Sequence, residues 1–336
     1  MSITSPVTKH TTLGQSTSSV PISEAYEGVR LPQPGEYFVL ADPSTPIRQS
    51  ENLDRINALQ DQAELGTTLP FGHPMKVREV GASYSSVQLS TQGDDPAPTA
   101  DFHLGLENHK LRIPITRDMA HAYAERPLAV VTSRLGVKIE DLRNGTRHQL
   151  TFGARIPSLV GLEFSLGEGE HERRYKIVDG AASLGKVSAK NVSMAELTHR
   201  VRAFEGAHFS WGHSGPELSD ASGWVQSLMG SFGIHLPHNT KRMERHIRQN
   251  PGIGTEIQKL SEITTGDIIF IGPKAGSLNY VGLAEFDDGG RLGFRHCRGK
   301  CGWQGNYING TSQLFSETEV EGFPGYEIKS AWRLLA

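Results

Sequence analysis

The stretch of sequence with the clearest potential for chemistry runs from His208 to Thr240. After Asp220, apolar residues recur at steps of one, three and four, which predicts a helix with one buried face that ends at Gly233. These apolar residues are Trp224, Val225, Leu228, Met229 and Phe232. A helix start stabilises an anionic nucleophile such as a thiolate, because its unpaired amides and its dipole favour negative charge. The residues at this start, Asp220 to Gly223, include no cysteine.

The motifs in this stretch resemble those of the NlpC family of papain-like cysteine peptidases. In that family Trp-Gly-Gly precedes Asp-Cys-Ser-Gly at a helix start, and Gly-Ile-x-Leu-Pro-Arg with Asn or Ser follows. The matching residues are Trp211-Gly212, Asp220-Ala221-Ser222-Gly223, Gly233-Ile234, Leu236-Pro237 and Asn239-Thr240. The resemblance implies an α+β papain-like domain over residues 190–336, in which helices pack on an antiparallel sheet.

The resemblance also assigns roles to single residues at the helix start. It implies that Ala221 stands where the family has its nucleophilic cysteine. It further implies that a bound substrate would contact the flanking residues Trp211, Gly212, Asp220, Ser222 and Gly223. Since alanine ends in a methyl group, the position has nothing with which to attack a carbonyl carbon.

The histidine of the family opens a strand as His-x-Gly, and the matching residue here is Tyr280. The following Asp-Asp-Gly-Gly run at residues 287–290 is a strong hairpin signal. If residues 286 and 290 flank the turn, the numbers of paired residues add to 576 and Tyr280 lies opposite His296. This register predicts that His296 occupies the third position of the family, which orients the catalytic histidine.

These substitutions predict a site that no longer hydrolyses amides by the papain mechanism. That mechanism needs a thiolate, a histidine and a group that orients the histidine. Loss of the nucleophile alone removes a rate factor of roughly 10⁶ in a serine peptidase, and a tyrosine with a reference pKa of about 10 is a poor base. A relocated serine nucleophile is a further alternative, carried by Ser210, Ser214, Ser219 or Ser222. His208 and His213 are interpreted as loop histidines that make local hydrogen bonds.

Composition and charge exclude several classes of function. The 336 residues carry a formal net charge of -3 and a pI near 6.5, which is no electrostatic footprint for nucleic acid. The sequence has no apolar run of the ~18 residues that a membrane-spanning helix needs. The two cysteines, Cys297 and Cys301, are expected to be ordinary thiols, with a local disulfide or a zinc site including His296 as alternatives. We therefore predict no cofactor and no metal.

The elements that position the site follow from local signals along the chain. Residues 1–30 are Ser/Thr-rich, lack the apolar core of a secretory signal, and are predicted to be a disordered tail, with a non-cleaved export signal as the alternative. An N-terminal helical segment is predicted over residues 31–68, with its helix at residues 51–65. Short strands with regular turns predict two small β-barrel modules at residues 69–120 and 121–182. Their arrangement resembles the bacterial SH3-like domains that are often fused to the NlpC family.

Three functions remain open from the sequence. The first is a pseudoenzyme that recognises the usual substrates of the family, peptidoglycan stem peptides that it cuts between D-glutamate and a diamino acid. The second is an active γ-D-glutamyl-diamino acid endopeptidase whose nucleophile was replaced by Ala221, although this does not explain Tyr280. The third is a secreted bacterial effector that docks a protein partner. The compartment is open: the sequence shows no cleavable signal, so an exported protein would need a non-classical route.

Overall fold

The computed structural model describes most of the chain after residue 32. The described residues are 33–41, 45–48, 65–69, 71–72, 74–80, 84–89, 102–105, 112–125, 129–157, 159–209, 213–278, 280–286, 289–297, 309–316, 319–320 and 323–335. All of them belong to the compact unit formed by residues 31–336. The predicted tail, residues 1–30, lies outside the described residues.

The N-terminal part of this unit is an antiparallel sheet of seven strands with the order β3-β2-β6-β5-β4-β1-β7. Its strands are β1 (Tyr37–Leu40), β2 (Thr45–Arg48), β3 (Leu65–Leu69), β4 (Pro74–Val80), β5 (Tyr84–Leu89), β6 (Phe102–Gly105) and β7 (Arg112–Ile115). Helix α1 (Arg117–Glu125) follows the last strand.

The N-terminal helical segment predicted for residues 31–68 needs a correction. Strands β1 and β2 and most of β3 lie within it, and Gly66, which directly follows the predicted helix, lies inside β3. The β-branched Thr67 and Thr68 beside it favour an extended backbone, and pairing with β2 satisfies the amides of this strand. Residues 51–64, which hold almost all of the predicted helix, lie outside the described residues.

The next segment forms two small antiparallel sheets. One has four strands in the order β10-β9-β13-β12 and the other has three in the order β11-β8-β14. Their strands are β8 (Ala129–Val131), β9 (Val137–Asp141), β10 (Arg147–Leu150), β11 (Arg155–Ile156), β12 (Glu163–Leu166), β13 (Arg173–Asp179) and β14 (Leu184–Lys186). Short 3₁₀ turns lie at Gly169–His171 and Ala181–Ser183.

The two predicted β modules share one hydrophobic core. Phe71, from the first module, packs edge-on against Tyr175 and Phe164 of the second, with ring centroids 5.6 and 6.2 Å apart. The same buried cluster includes residues of β7 and helix α1. Because both modules contribute to a single core, they pack on each other as one β-rich body. Their SH3-like identity and their boundaries stay predictions.

The C-terminal part packs three helices on a second antiparallel sheet of seven strands. The helices are α2 (Met194–Arg202), α3 (Ala221–Ser231) and α4 (Thr240–Gln249). The sheet order is β17-β23-β18-β19-β20-β21-β22. Its strands are β17 (Thr255–Glu256), β18 (Ile268–Pro273), β19 (Tyr280–Phe286), β20 (Leu292–Cys297), β21 (Asn309–Ser316), β22 (Glu319–Val320) and β23 (Tyr326–Arg333). A parallel pair, β15 (His208–Phe209) and β16 (Leu218–Ser219), precedes α3, and a 3₁₀ turn lies at Leu260–Glu262.

The two faces of this sheet bury different clusters. The face under the helices packs Val281, Leu283 and Cys297 against Trp224 and other apolar residues of α3. The opposite face buries a second cluster, formed by Ile269, Ile271, Ala284, Phe294, Phe323 and their neighbours. Within the described residues, none of the helices combines the length and hydropathy that crossing a bilayer requires.

Candidate functional site

The start of helix α3 has the local structure that its sequence predicts. Asp220 is the N-cap, and its carboxylate accepts hydrogen bonds from the amides of Ser222 (3.0 Å) and Gly223 (2.7 Å). Such a cap satisfies two of the amides that a helix start leaves without partners. Ala221 is the first helical residue and is buried, with 7% of its surface exposed. The helix ends as predicted, since Gly233 adopts a φ of 88° just beyond it.

Asp220 is also bound by a histidine that the sequence did not bring to attention. The imidazole Nε2 of His238 lies 3.0 Å from each carboxylate oxygen of Asp220, and the side chains of both residues are nearly inaccessible. The two segments approach so closely that a Cβ atom at position 223 would lie 3.0 Å from His238 and 2.1 Å from the carbonyl oxygen of His213. Only glycine, which has no Cβ atom, therefore fits at position 223.

The register of the β19–β20 hairpin differs from the predicted one by two residues. Phe286 pairs with Leu292 and Leu283 pairs with Arg295, so that the numbers of paired residues add to 578, not to 576. The loop therefore has five residues, and Tyr280 does not pair directly with His296. A shift of two leaves every side chain on the same face of the sheet. The rings of Tyr280 and His296 accordingly still meet, with centroids 6.0 Å apart.

Two adjacent residues at the end of β20 point to opposite faces of the sheet. His296 packs against the rings of Phe294 (5.3 Å) and Phe323 (5.1 Å), which belong to the face away from the helices. Cys297 lies on the helix face, and its thiol donates a hydrogen bond to the carbonyl oxygen of Ser219 (3.2 Å), just ahead of α3. Because side chains alternate along a strand, the residue of β20 that reaches the start of α3 is Cys297.

The environment of Cys297 keeps its sulfur protonated. Its side chain is completely buried, and burial raises the pKa of the thiol to about 12, with a smaller contribution from the carboxylate of Asp220. Cys297 is a free thiol and forms no disulfide. Cys301, its predicted partner in the disulfide and zinc alternatives, lies outside the described residues.

Comparison with known proteins identifies the fold of this region. Residues 206–291 match the NlpC/P60 family. This segment is an NlpC/P60 family domain. No curated protein sequence matches the chain significantly.

Two solved structures resemble the chain beyond the NlpC/P60 domain. An NlpC/P60 family protein from Bacillus cereus is 14% identical, with a TM-score of 0.64 over 89% of this chain and 100% of that chain. An NlpC/P60 endopeptidase from Photobacterium damselae subsp. piscicida is 11% identical, with a TM-score of 0.56 over 92% of this chain and 75% of that chain. At such identities the likeness concerns the fold.

The structure brings part of the predicted site together within the NlpC/P60 domain. Asp220, Ala221, Ser222 and Gly223 form one capped turn at the start of α3. Tyr280 packs against the buried cluster that contains Ala221 and also against the cluster on the opposite face, so it links the two sides of the sheet. Its hydroxyl donates to the carbonyl oxygen of Cys297 (2.7 Å). The predicted substrate contacts Trp211 and Gly212 lie outside the described residues.

The serines near the site serve the local structure. The hydroxyl of Ser222 donates to Asp220 (3.1 Å), and that of Ser219 donates to the carbonyl oxygen of His213 (3.5 Å). These bonds tie the loop to the cap of α3. The remaining serine candidate with a described place, Ser214, pairs with Ser219 in an isolated β-bridge. Among the described residues, no group of three histidine, cysteine or acidic side chains is arranged to hold a metal ion.

The hydrogen bond between Asp220 and His238 is the feature that the sequence analysis missed. A signal was present, because His238 stands where the resemblance has arginine, after Leu236-Pro237. Arginine and histidine can both donate to a carboxylate. A basic residue at this position was thus the available hint of a partner for the N-cap aspartate.

Proposed function

We propose that this protein is a catalytically inactive relative of the cell-wall peptidases, whose NlpC/P60 domain recognises peptidoglycan stem peptides without cutting them. The observation that carries the proposal is the methyl group of Ala221 at the first position of α3. A helix start is the place where a cysteine thiolate would be stabilised, and here it holds no nucleophile.

The nearby cysteine does not replace the missing nucleophile. Cys297 is buried, its thiol hydrogen bond goes to the carbonyl oxygen of Ser219, and its pKa of about 12 leaves almost no thiolate at neutral pH. The reactive form of cysteine is the thiolate, which in catalytic sites is favoured by nearby positive charge. Here the charged group that acts on the thiol is the carboxylate of Asp220, and it raises the pKa further.

The residue at the predicted base position supports the same proposal. The hydroxyl of Tyr280 is held by the backbone of Cys297, and its ring packs against His296 and Phe323. These contacts suit a residue that fills and shapes a cleft. The imidazole that Tyr280 contacts, His296, packs against Phe294 and Phe323 on the face of the sheet away from α3.

Binding can persist where catalysis is lost, because a cleft can hold a ligand without a nucleophile. Asp220 and Ser222 are buried and bonded to each other, so they hold the wall of the cleft in shape at this end of α3. The resemblance supplies the stem peptide as the ligand class. A protein partner docked on the same cleft is the competing occupant.

The test measures retention and cleavage of purified muropeptides by four forms of the full chain. These are the unchanged sequence, Ala221→Cys, Tyr280→His and the double variant. The unchanged sequence is expected to retain muropeptides and release no product, and cleavage is expected only in the double variant, because a thiolate and an imidazole act as a unit. Ala221→Ser serves as the matched control without a thiol.

Each other outcome has a defined meaning. Cleavage by the unchanged sequence would refute the proposal. Cleavage by Ala221→Cys alone would favour the alternative of an endopeptidase with only its nucleophile replaced. Absence of retention by every form would exclude stem peptides as the ligand and would leave a protein partner.

A further inference from the structure

A large cavity lies beyond the C-terminal end of helix α3, at the opposite end of the helix from Ala221. Its volume is about 730 Å³, within the ~300–1,000 Å³ typical of small-molecule pockets. Four segments line it: residues 189–190 ahead of α2, residues 233–235 after α3, the end of α4 with the following loop, and residues 333–335. No part of the function proposed for Ala221 uses this cavity.

The lining of the cavity is apolar with a cationic edge. Its apolar side chains are Ala189, Ile234, Pro251, Ile253, Leu334 and Leu335. Its basic side chains are Lys190, His235, His246 and Arg333, and none of the described lining residues is acidic. A ligand that fits this lining has an apolar body and a negative group.

The two full cations of the lining differ in how their charge is balanced. Arg333 donates to both carboxylate oxygens of Asp267 (2.9 Å each), so its charge is already neutralised. For Lys190, no carboxylate of the described part of the chain lies within ion-pair distance, and the residue is exposed at the rim. Lys190 is therefore the group available to bind an anion at the mouth.

The C-terminal ends of α3 and α4, which lie near the cavity, do not reverse its preference for an anionic ligand. The C-terminal end of a helix favours cations through its unpaired carbonyl groups. At α3, however, Arg155 donates to the carbonyl oxygen of Gly230 (3.0 Å) and Arg200 donates to that of Ser231. At α4, the Asn250 amide donates to the carbonyl oxygen of His246 (2.8 Å). Since these carbonyls have protein partners, a bound cation would gain little from them.

We propose that this cavity binds a small amphipathic carboxylate, with an aliphatic chain on Ile253 and Leu334 and a carboxylate group near Lys190. The aliphatic walls gain free energy by removing the chain from water. The charge at the rim then selects a carboxylate over a neutral or cationic head group of the same size.

The test compares three ligands with the same eight-carbon chain: octanoate, octanol and octylammonium. Each is titrated by calorimetry against the full chain at pH 7.5. Octanoate is expected to bind most tightly and octylammonium most weakly. Lys190→Met is expected to weaken octanoate roughly fivefold, the size of a partly exposed ion pair, and to leave octanol unchanged.

A variant that narrows the cavity tests whether octanoate binds there. Gly252 lines the cavity, and a Cβ atom added there would meet no atom within 4 Å, so Gly252→Leu is expected to narrow the cavity and weaken octanoate binding without a clash at Cβ. Gly230→Leu is the matched control, because it also has free space but lies outside the lining. The proposal is wrong if octanoate does not bind, if the three ligands bind equally, if octylammonium binds best, or if Gly252→Leu binds octanoate normally.

Discussion

Helix α3 begins at an acidic cap and ends beside two buried arginines. At its start, Asp220 accepts hydrogen bonds from two amides, from the Ser222 hydroxyl and from His238. At its end, Arg155 and Arg200 donate to the last carbonyl groups. Negative charge at the start and positive charge at the end both match the helix dipole.

The two arginines at the C-terminal end differ in how well their donors are satisfied. Arg200 donates to the carbonyl oxygens of Ser231 and Lys186, binds the carboxylate of Glu196 and stacks on Phe232, 4.0 Å from the ring centroid. Arg155 is equally buried, yet its Nε and Nη1 have no partner among the described residues. Burial lowers the pKa of Arg155 to about 10, while the Glu196 carboxylate offsets part of the burial effect on the pKa of Arg200. Position alone therefore does not decide what a buried charge contributes to stability.

Among these changes, Arg200→Met is expected to cause the largest loss in the free energy of unfolding. The change removes hydrogen bonds to two carbonyl oxygens and the ion pair with Glu196, and it leaves the carbonyl oxygen of Ser231 without its donor. We expect the free energy of unfolding to fall by about 3 kcal/mol, as for other broken buried pairs. Urea denaturation of the two forms measures this difference in the free energy of unfolding. Arg248→Met is the control, because its ion pairs with Glu244 and Glu256 are half exposed and should be worth less than about 1 kcal/mol.

A smaller loss is expected for Asp220→Ala at the other end of the helix. The change removes the N-cap of α3 and leaves the buried Nε2 of His238 without its acceptor. Together these should lower the free energy of unfolding by about 2 kcal/mol. Asn239→Ala, which removes the exposed N-cap of α4, is the matched control and should cost about 1 kcal/mol. If the two variants lose the same free energy of unfolding, the hydrogen bond from His238 to Asp220 contributes nothing to stability.

Arg155→Met tests whether an incompletely bonded arginine contributes to stability. The change loses the bonds of Nη2 to the Gly230 carbonyl oxygen and to the His235 imidazole (3.1 Å), but it also removes a buried charge with two unpaired donors. We expect a change of less than about 1 kcal/mol in either direction. A loss as large as that for Arg200→Met would show that the comparison between the two arginines is wrong.

The last effect concerns the pH dependence of stability: the titration of Cys297 is expected to change the free energy of unfolding at high pH and to leave it unchanged at neutral pH. The unfolded thiol ionises near its ordinary pKa of 9.0, whereas the folded thiol has a pKa of about 12. Between these values the unfolded state binds fewer protons, so stability is lost as pH rises and is fully present below pH 9. The difference in unfolding free energy between the natural chain and Cys297→Ala should therefore shrink from pH 9 upwards. A pH-independent difference would contradict the raised pKa; Cys301 is present in both forms and cancels.

The sequence by itself determined those features that depend on neighbouring residues. The limits of α3 follow from the Asp220 cap and the positive φ of Gly233, and the buried Met243 and Ile247 of α4 lie four positions apart, the spacing of one helix face. Ser193 caps α2 by accepting a hydrogen bond from the amide of Glu196, and the two residues have the Ser-x-x-Glu spacing of a capping box. The absence of a cysteine at position 221 was readable directly.

Only the tertiary structure decided which distant residues meet. The length of the β19–β20 loop fixed the register at 578, and turn chemistry alone allowed either value because both keep the same faces. The Asp220–His238 hydrogen bond joins residues 18 positions apart, and the Cys297 thiol reaches Ser219 across 78 positions. Such contacts depend on how the sheet and helices pack, which local propensity does not encode. Gly66 and the threonines beside it likewise form a strand through a tertiary contact. Pairing with β2 provides hydrogen-bond partners for the backbone amides of this strand.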